Sequence, residues 1–67
     1  MAEYLLIDRD VFGYTRSRDF DTLKEAEAFA ECFQTRRLIV TVELYRYDPD
    51  MGYRMIRRFK DQDWIGS

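Results

Sequence analysis

The sequence predicts an α+β domain: a four-stranded antiparallel sheet in the order ββαββ with one helix packed on one face. Three observations carry this. One stretch alone has 3.6-residue apolar spacing behind a capping box. Two β-prone stretches precede it and two follow, each pair joined by turn chemistry. The 67 residues make one domain, 1–67, with no repeat, linker or low-complexity stretch.

The first strand covers residues 3–9, and its unbroken Tyr4-Leu5-Leu6-Ile7 run predicts an inner strand covered on both faces. Asp10-Val11-Phe12-Gly13 supplies a turn through its Asp and Gly. The second strand, at about 14–20, is polar at alternate positions, as an edge strand should be. Thr22-Leu23-Lys24-Glu25 is a capping-box pattern with Thr22 as N-cap. From there a helix runs to about Thr35, with Leu23, Ala26, Phe29, Ala30 and Phe33 as its apolar stripe.

Residues 38–47 alternate, which puts Leu38, Val40, Val42 and Leu44 on the core face and Ile39, Thr41, Glu43, Tyr45 and Tyr47 on the other. In Asp48-Pro49-Asp50-Met51-Gly52, Pro49 presets φ and Gly52 accepts a positive φ. The last strand spans about 53–60. A four-residue loop sets Leu44 opposite Met55, Val42 opposite Arg57 and Val40 opposite Phe59. On the outer face it pairs Tyr45 with Arg54, Thr41 with Arg58 and Ile39 with Lys60. Arg57 then sits awkwardly on the inner face: either its stem runs along the core and its head reaches the rim, or this register is not the one adopted.

A chain this short buries only about 60% of its unfolded surface, so most apolar positions are committed to the core. Five Tyr, five Phe and one Trp exceed what one core layer needs, which places some aromatics on the surface. The net charge of −2 favours neither nucleic acid nor membrane, but the charge is polarised along the chain. Residues 1–35 carry eight acids against four bases; residues 36–67 carry five against seven.

Cys32 is the only cysteine, so no intramolecular disulfide forms and a reducing compartment fits. Met1-Ala2-Glu3 has no basic n-region, and no apolar run is long enough for a membrane span. The expectation is a cytoplasmic protein.

Catalysis has little to work with. No histidine is present, which removes the commonest general base and transition-metal ligand and leaves Cys32 without an activating partner. The carboxylate pairs Asp8/Asp10, Asp19/Asp21 and Asp61/Asp63 lack calcium-loop spacing, and no phosphate-binding loop or zinc pattern occurs. No catalytic residue, metal site or cofactor is expected, and the chain reads as a binding protein.

The outer sheet face is the first candidate site, through Glu43, Tyr45, Tyr47, Arg54, Arg58 and Lys60. Tyr and Arg dominate binding hot spots because each joins a large contact area to a polar end. Cross-strand pairing that stabilises a solvated sheet is the structural alternative. Glu25, Glu27 and Glu31 on the helix form a second candidate face, able to meet a cationic groove. Trp64, beyond the last strand, either closes a core edge or anchors a partner.

The pattern resembles small phage-encoded anti-CRISPR proteins, in particular an inhibitor of the type I-F surveillance complex. The likeness runs through Tyr4-Leu5-Leu6-Ile7, a second strand ending in Phe20, the Leu23–Phe33 helix and Ile39-Val40-Thr41-Val42-Glu43. It continues in Gly52, a closing strand containing Arg, and Trp64. It implies a viral inhibitor without activity of its own that binds a host defence nucleoprotein complex and blocks target-DNA access. The Arg-rich last strand departs from a pure DNA mimic.

Two other classes compete. A nucleic-acid binder would use Arg46, Arg54, Arg58 and Lys60 for phosphates and Tyr45 or Tyr47 for stacking. A self-associating module, a homodimer, would pair through Ile39, Ile56 and edge-strand backbone.

Overall fold

Short-range polar contacts set where the elements begin and end. Asp10 Oδ1 accepts the backbone N–H groups of Phe12 (2.9 Å) and Tyr14 (3.0 Å), which folds the chain back after the first strand. Gly13 completes that turn at φ +89°, where only glycine is unstrained. Thr22 Oγ1 accepts the Glu25 N–H at 3.3 Å, and its hydroxyl donates to the Glu25 carboxylate at 3.0 Å. Thr22 therefore caps the helix as the sequence predicts, with the Glu25 carboxylate returning to its hydroxyl instead of its backbone N–H.

The computed structural model describes residues 2–61; Trp64 and its neighbours lie outside them. The elements are β1 (Tyr4–Asp10), β2 (Thr15–Phe20), α1 (Leu23–Gln34), β3 (Ile39–Asp48) and β4 (Gly52–Asp61). All four strands form one antiparallel sheet in the order β2-β1-β3-β4. The α1 crossover carries the chain from the β2 edge to the far side of β1. The expected α+β architecture is the one observed, with β1 and β3 central and β2 at an edge.

The core lies between α1 and one sheet face: Tyr4, Leu6, Val42 and Leu44 from the strands, Ala26, Ala30 and Phe33 from the helix, and Ile39. Each fully buried Leu or Val contributes about 1.5–3 kcal/mol of hydrophobic stabilisation. Small Ala26 and Ala30 let the helix backbone approach the sheet, and Phe33 fills the space at the helix end.

Several expectations are corrected here. β1 is inner in the sheet but covered on one face only: Leu6 is buried under the helix, whereas Leu5 and Ile7 are half-buried on the open side. Leu23 is 39% exposed and stays outside the core cluster. Ile39, expected outside, is in the core, and Leu38, expected inside, is 58% exposed. A bulge causes the exchange. Arg9 faces Thr41 but Asp10 faces Ile39, so Val40 is the extra residue and side-chain parity flips.

The β3–β4 register also differs. The loop is one residue shorter than expected, with Asp48 opposite Gly52, which gives Tyr47 opposite Tyr53 and Tyr45 opposite Met55. Two bulges follow, skipping Ile56 and then Phe59, so Leu44 meets Arg57, Glu43 meets Arg58 and Val42 meets Lys60. Arg57 is on the helix side as expected. Its head pairs with Glu27 at 2.8 Å and its guanidinium stacks 4.3 Å from the Phe59 ring.

One polar group in this interior is not satisfied. Asp8 is buried on the helix side of β1, opposite Arg16 and Val42, and its Oδ1 has no hydrogen-bond partner.

Candidate functional site

Alternation along β1 and β3 leaves a second sheet face that no described element covers. Leu5, Tyr45 and Met55 lie side by side in one cross-strand row, and Ile7, Glu43 and Arg58 in the next. Beyond the first row, Tyr47 and Tyr53 meet edge to face with ring centroids 5.4 Å apart. One end of the face is thus aromatic and aliphatic, the other charged.

The charged end is internally matched. Glu43 accepts from the Tyr45 hydroxyl (3.1 Å) and from Arg58 (3.1 Å), and Arg58 also donates to Asp61 at 2.9 Å. Burial raises the Tyr45 pKa above its usual 10.0, and the hydrogen bond to Glu43 and its charge add to the effect. Tyr45 therefore stays a neutral donor, its ring fixed over the sheet.

Of the six outer-face residues singled out in the sequence, Glu43, Tyr45, Tyr47 and Arg58 come together there. Arg54 and Lys60 do not. Arg54 lies opposite Arg46 on the helix side of β4 and approaches Asp48 at 3.8 Å; Lys60 donates to the Arg36 carbonyl at 2.8 Å. The shifted register and the bulges move them. Arg54 still reaches the hairpin end, where it and Tyr47 line a hollow of about 500 Å³ with Met55 and Ile56.

The acidic helix face is divided. Glu25 is engaged with Thr22, Glu27 with Arg57, and Glu31 remains exposed without a partner among the described residues. Cys32 is exposed on the helix. Among the described residues no group of three or more His, Cys, Asp or Glu could hold a metal ion, and no helix is long and apolar enough to cross a membrane.

A second candidate site was missed in the sequence. At the end of the sheet where β1 turns into β2, a cleft of about 730 Å³ is lined by Phe12, Tyr14, Arg16, Arg36, Arg37 and Leu38. Phe12 and Tyr14 are 71% and 70% exposed. Its signal was present: two aromatics in a turn specified by Asp10 and Gly13 have no core to join, and Arg36-Arg37 fills the link between α1 and β3. Reading these stretches only as connections hid it.

No known protein family, curated protein or solved structure matches this chain.

Proposed function

We propose that this chain is a non-catalytic binding module that docks on a protein through the open face of its sheet. One observation carries the proposal: Leu5, Ile7, Tyr45, Tyr47, Tyr53 and Met55 form a continuous apolar and aromatic strip, rimmed by Glu43 and Arg58, with no described element over it. A rigid aromatic centre with a polar rim is the composition of a protein-binding hot spot. Together with the anti-CRISPR resemblance, it supports a partner that is a host defence nucleoprotein complex, bound so that target DNA is kept out. That assigns the protein to the cytoplasm of the host cell.

The nucleic-acid alternative on the same face has less support. Of the four bases it would use (Arg46, Arg54, Arg58, Lys60), Arg58 alone is on that face, and two carboxylates hold it.

The test titrates the protein into a purified type I-F surveillance complex and follows target-DNA binding. Tyr45→Ala combined with Tyr47→Ala should weaken inhibition by at least ~2 kcal/mol, the hot-spot threshold. If the native protein leaves DNA binding intact, the inhibitor assignment is lost. If the double variant folds and inhibits fully, the open face is not the contact. Light scattering in the same buffer detects a homodimer formed through this face, which would make the partner a second copy.

A further inference from the structure

The cleft at the sheet end where β1 turns into β2 combines exposed aromatic rings with guanidinium groups that the fold engages only in part. Arg36 and Arg37 have no carboxylate within ion-pair distance among the described residues, and Arg16 meets only Asp10, at 3.8 Å. Asp10 is itself occupied by the Phe12 and Tyr14 N–H groups. Three cations therefore face the cleft against one carboxylate.

A structural role accounts for part of this. Cations after a helix C-terminus complement its dipole, and Arg36 stacks 4.8 Å from the Phe33 ring. It does not account for Phe12 and Tyr14. Both rings stand almost free on a turn held by four hydrogen bonds: Phe12 and Tyr14 to Asp10 Oδ1, Asp10 to the Tyr14 carbonyl, and Gly13 to the Asp10 carbonyl. The hydrogen bonds fix the backbone from which both rings project, which lowers the ordering cost of a contact made by them.

We propose that this cleft binds a single strand of nucleic acid, with Phe12 and Tyr14 stacking on unpaired bases and Arg16, Arg36 and Arg37 contacting phosphates. Rings at a rim with a face open, next to a cationic groove, form the stacking platform used for single strands. An apolar peptide side chain would instead need an enclosed pocket. Bases in a duplex present no free face for the rings. Part of the acidic net charge is remote from the cleft. Glu3, Asp21, Asp48 and Asp50 lie at the other end of the strands. The seven residues of β1 set that separation at about 20 Å, more than twice the ~8 Å Debye length at physiological salt, so their repulsion is screened.

Fluorescence anisotropy of labelled 12-nucleotide single strands tests the site. Native protein should bind with a Kd below about 100 µM at low salt, with a log–log salt slope near −2 for three phosphate contacts at ~0.7 each. Arg36→Ala with Arg37→Ala should weaken binding at least about tenfold and bring the slope near −0.7. Phe12→Ala with Tyr14→Ala should weaken it about tenfold or more and leave the slope unchanged. Arg46→Ala with Arg54→Ala, at the other end, should change neither, and thermal melts confirm that each variant folds. Tyr45→Ala with Tyr47→Ala should leave strand binding intact, so failure here is separable from failure of the protein-docking face. The proposal is overturned by absence of strand binding, by equal loss from the distal arginine pair, by tighter binding of duplex, or by preference for an acidic peptide over the strand.

Discussion

Asp8 should be worth more to this fold when it is gone. Its carboxylate is 1% exposed, flanked on the helix side by Leu6 and Asp10, and its Oδ1 has no partner. Burial raises its pKa above the usual 3.8; Arg16 and Arg18 pull it down, Asp10 pushes it up, and burial outweighs the rest. An unsatisfied buried polar group costs about 1–3 kcal/mol. Asp8→Asn keeps the shape and removes the charge, and Asp8→Leu extends the apolar surface of Leu6, Val42 and Leu44. The Asn amide remains unpaired there and gains only from loss of the charge, whereas the Leu variant, allowing for some overpacking, should gain about 1–2 kcal/mol at neutral pH. At 4–8 °C per kcal/mol for a domain of this size, Tm rises by roughly 4–16 °C. The sign fixes the pH dependence. The raised folded pKa means that folding takes up a proton, so this group's contribution is complete below 3.8 and is lost as pH rises through the folded value. The Asn variant should therefore match native protein at acid pH and surpass it at neutral pH. Circular-dichroism melts from pH 3 to 8 decide. An Asn variant that is less stable at pH 7, or whose gain persists unchanged at pH 3, would refute the assignment of Asp8 as a buried electrostatic burden.

Two further outcomes follow from packing and backbone geometry. Phe33→Ala should cost about 3–5 kcal/mol, enough to unfold a small domain. Phe29→Ala should cost clearly less, because Phe29 is half-buried beneath the Arg18 guanidinium, 4.7 Å from its ring; equal losses in urea melts would contradict this ranking. Gly52→Ala should cost about 1–2 kcal/mol through backbone strain alone, since its φ is +80° and nothing lies within 4 Å of the added Cβ. An unchanged urea midpoint for that variant would show that the turn relaxes.

How far the sequence could be read depended on whether a signal was local. Thr22 and Glu25 are three residues apart, and Asp10 and Gly13 likewise, so their turn and cap geometry was legible without knowing the rest of the chain. The β3–β4 pairing was not. Strict alternation assumes that every residue is paired, whereas Val40, Ile56 and Phe59 are bulged out of register, and each bulge exchanges the two faces. Ile39 and Leu38 change places for that reason, and Arg54 and Lys60 leave the outer face. Tyr45, Tyr47 and Glu43 kept their assignment because they are on the central strand β3 beyond the first bulge. Arg58 kept its own because the shorter loop and the first β4 bulge offset each other in parity.

The same displacement changes what the basic last strand means. Read along the chain, Arg54, Arg57, Arg58 and Lys60 look like a cationic surface awaiting a partner. In the fold, β4 is an edge strand, and each base has an acceptor: Asp48, Glu27, Glu43 with Asp61, and the Arg36 carbonyl. Long charged side chains and bulges on an edge strand keep it from pairing with another sheet. Their charge is accordingly spent within the domain, at solvent-exposed contacts worth at most about 1 kcal/mol each. Arg36 and Arg37, which have no carboxylate partner among the described residues, sit where the sequence shows no strand or helix period, and the exposed aromatics beside them are those of a turn. Regular elements here build the sheet and tie up the charge of its β4 edge, and the open face of β1 and β3 and the end formed by connecting segments are the surfaces the described residues leave uncovered.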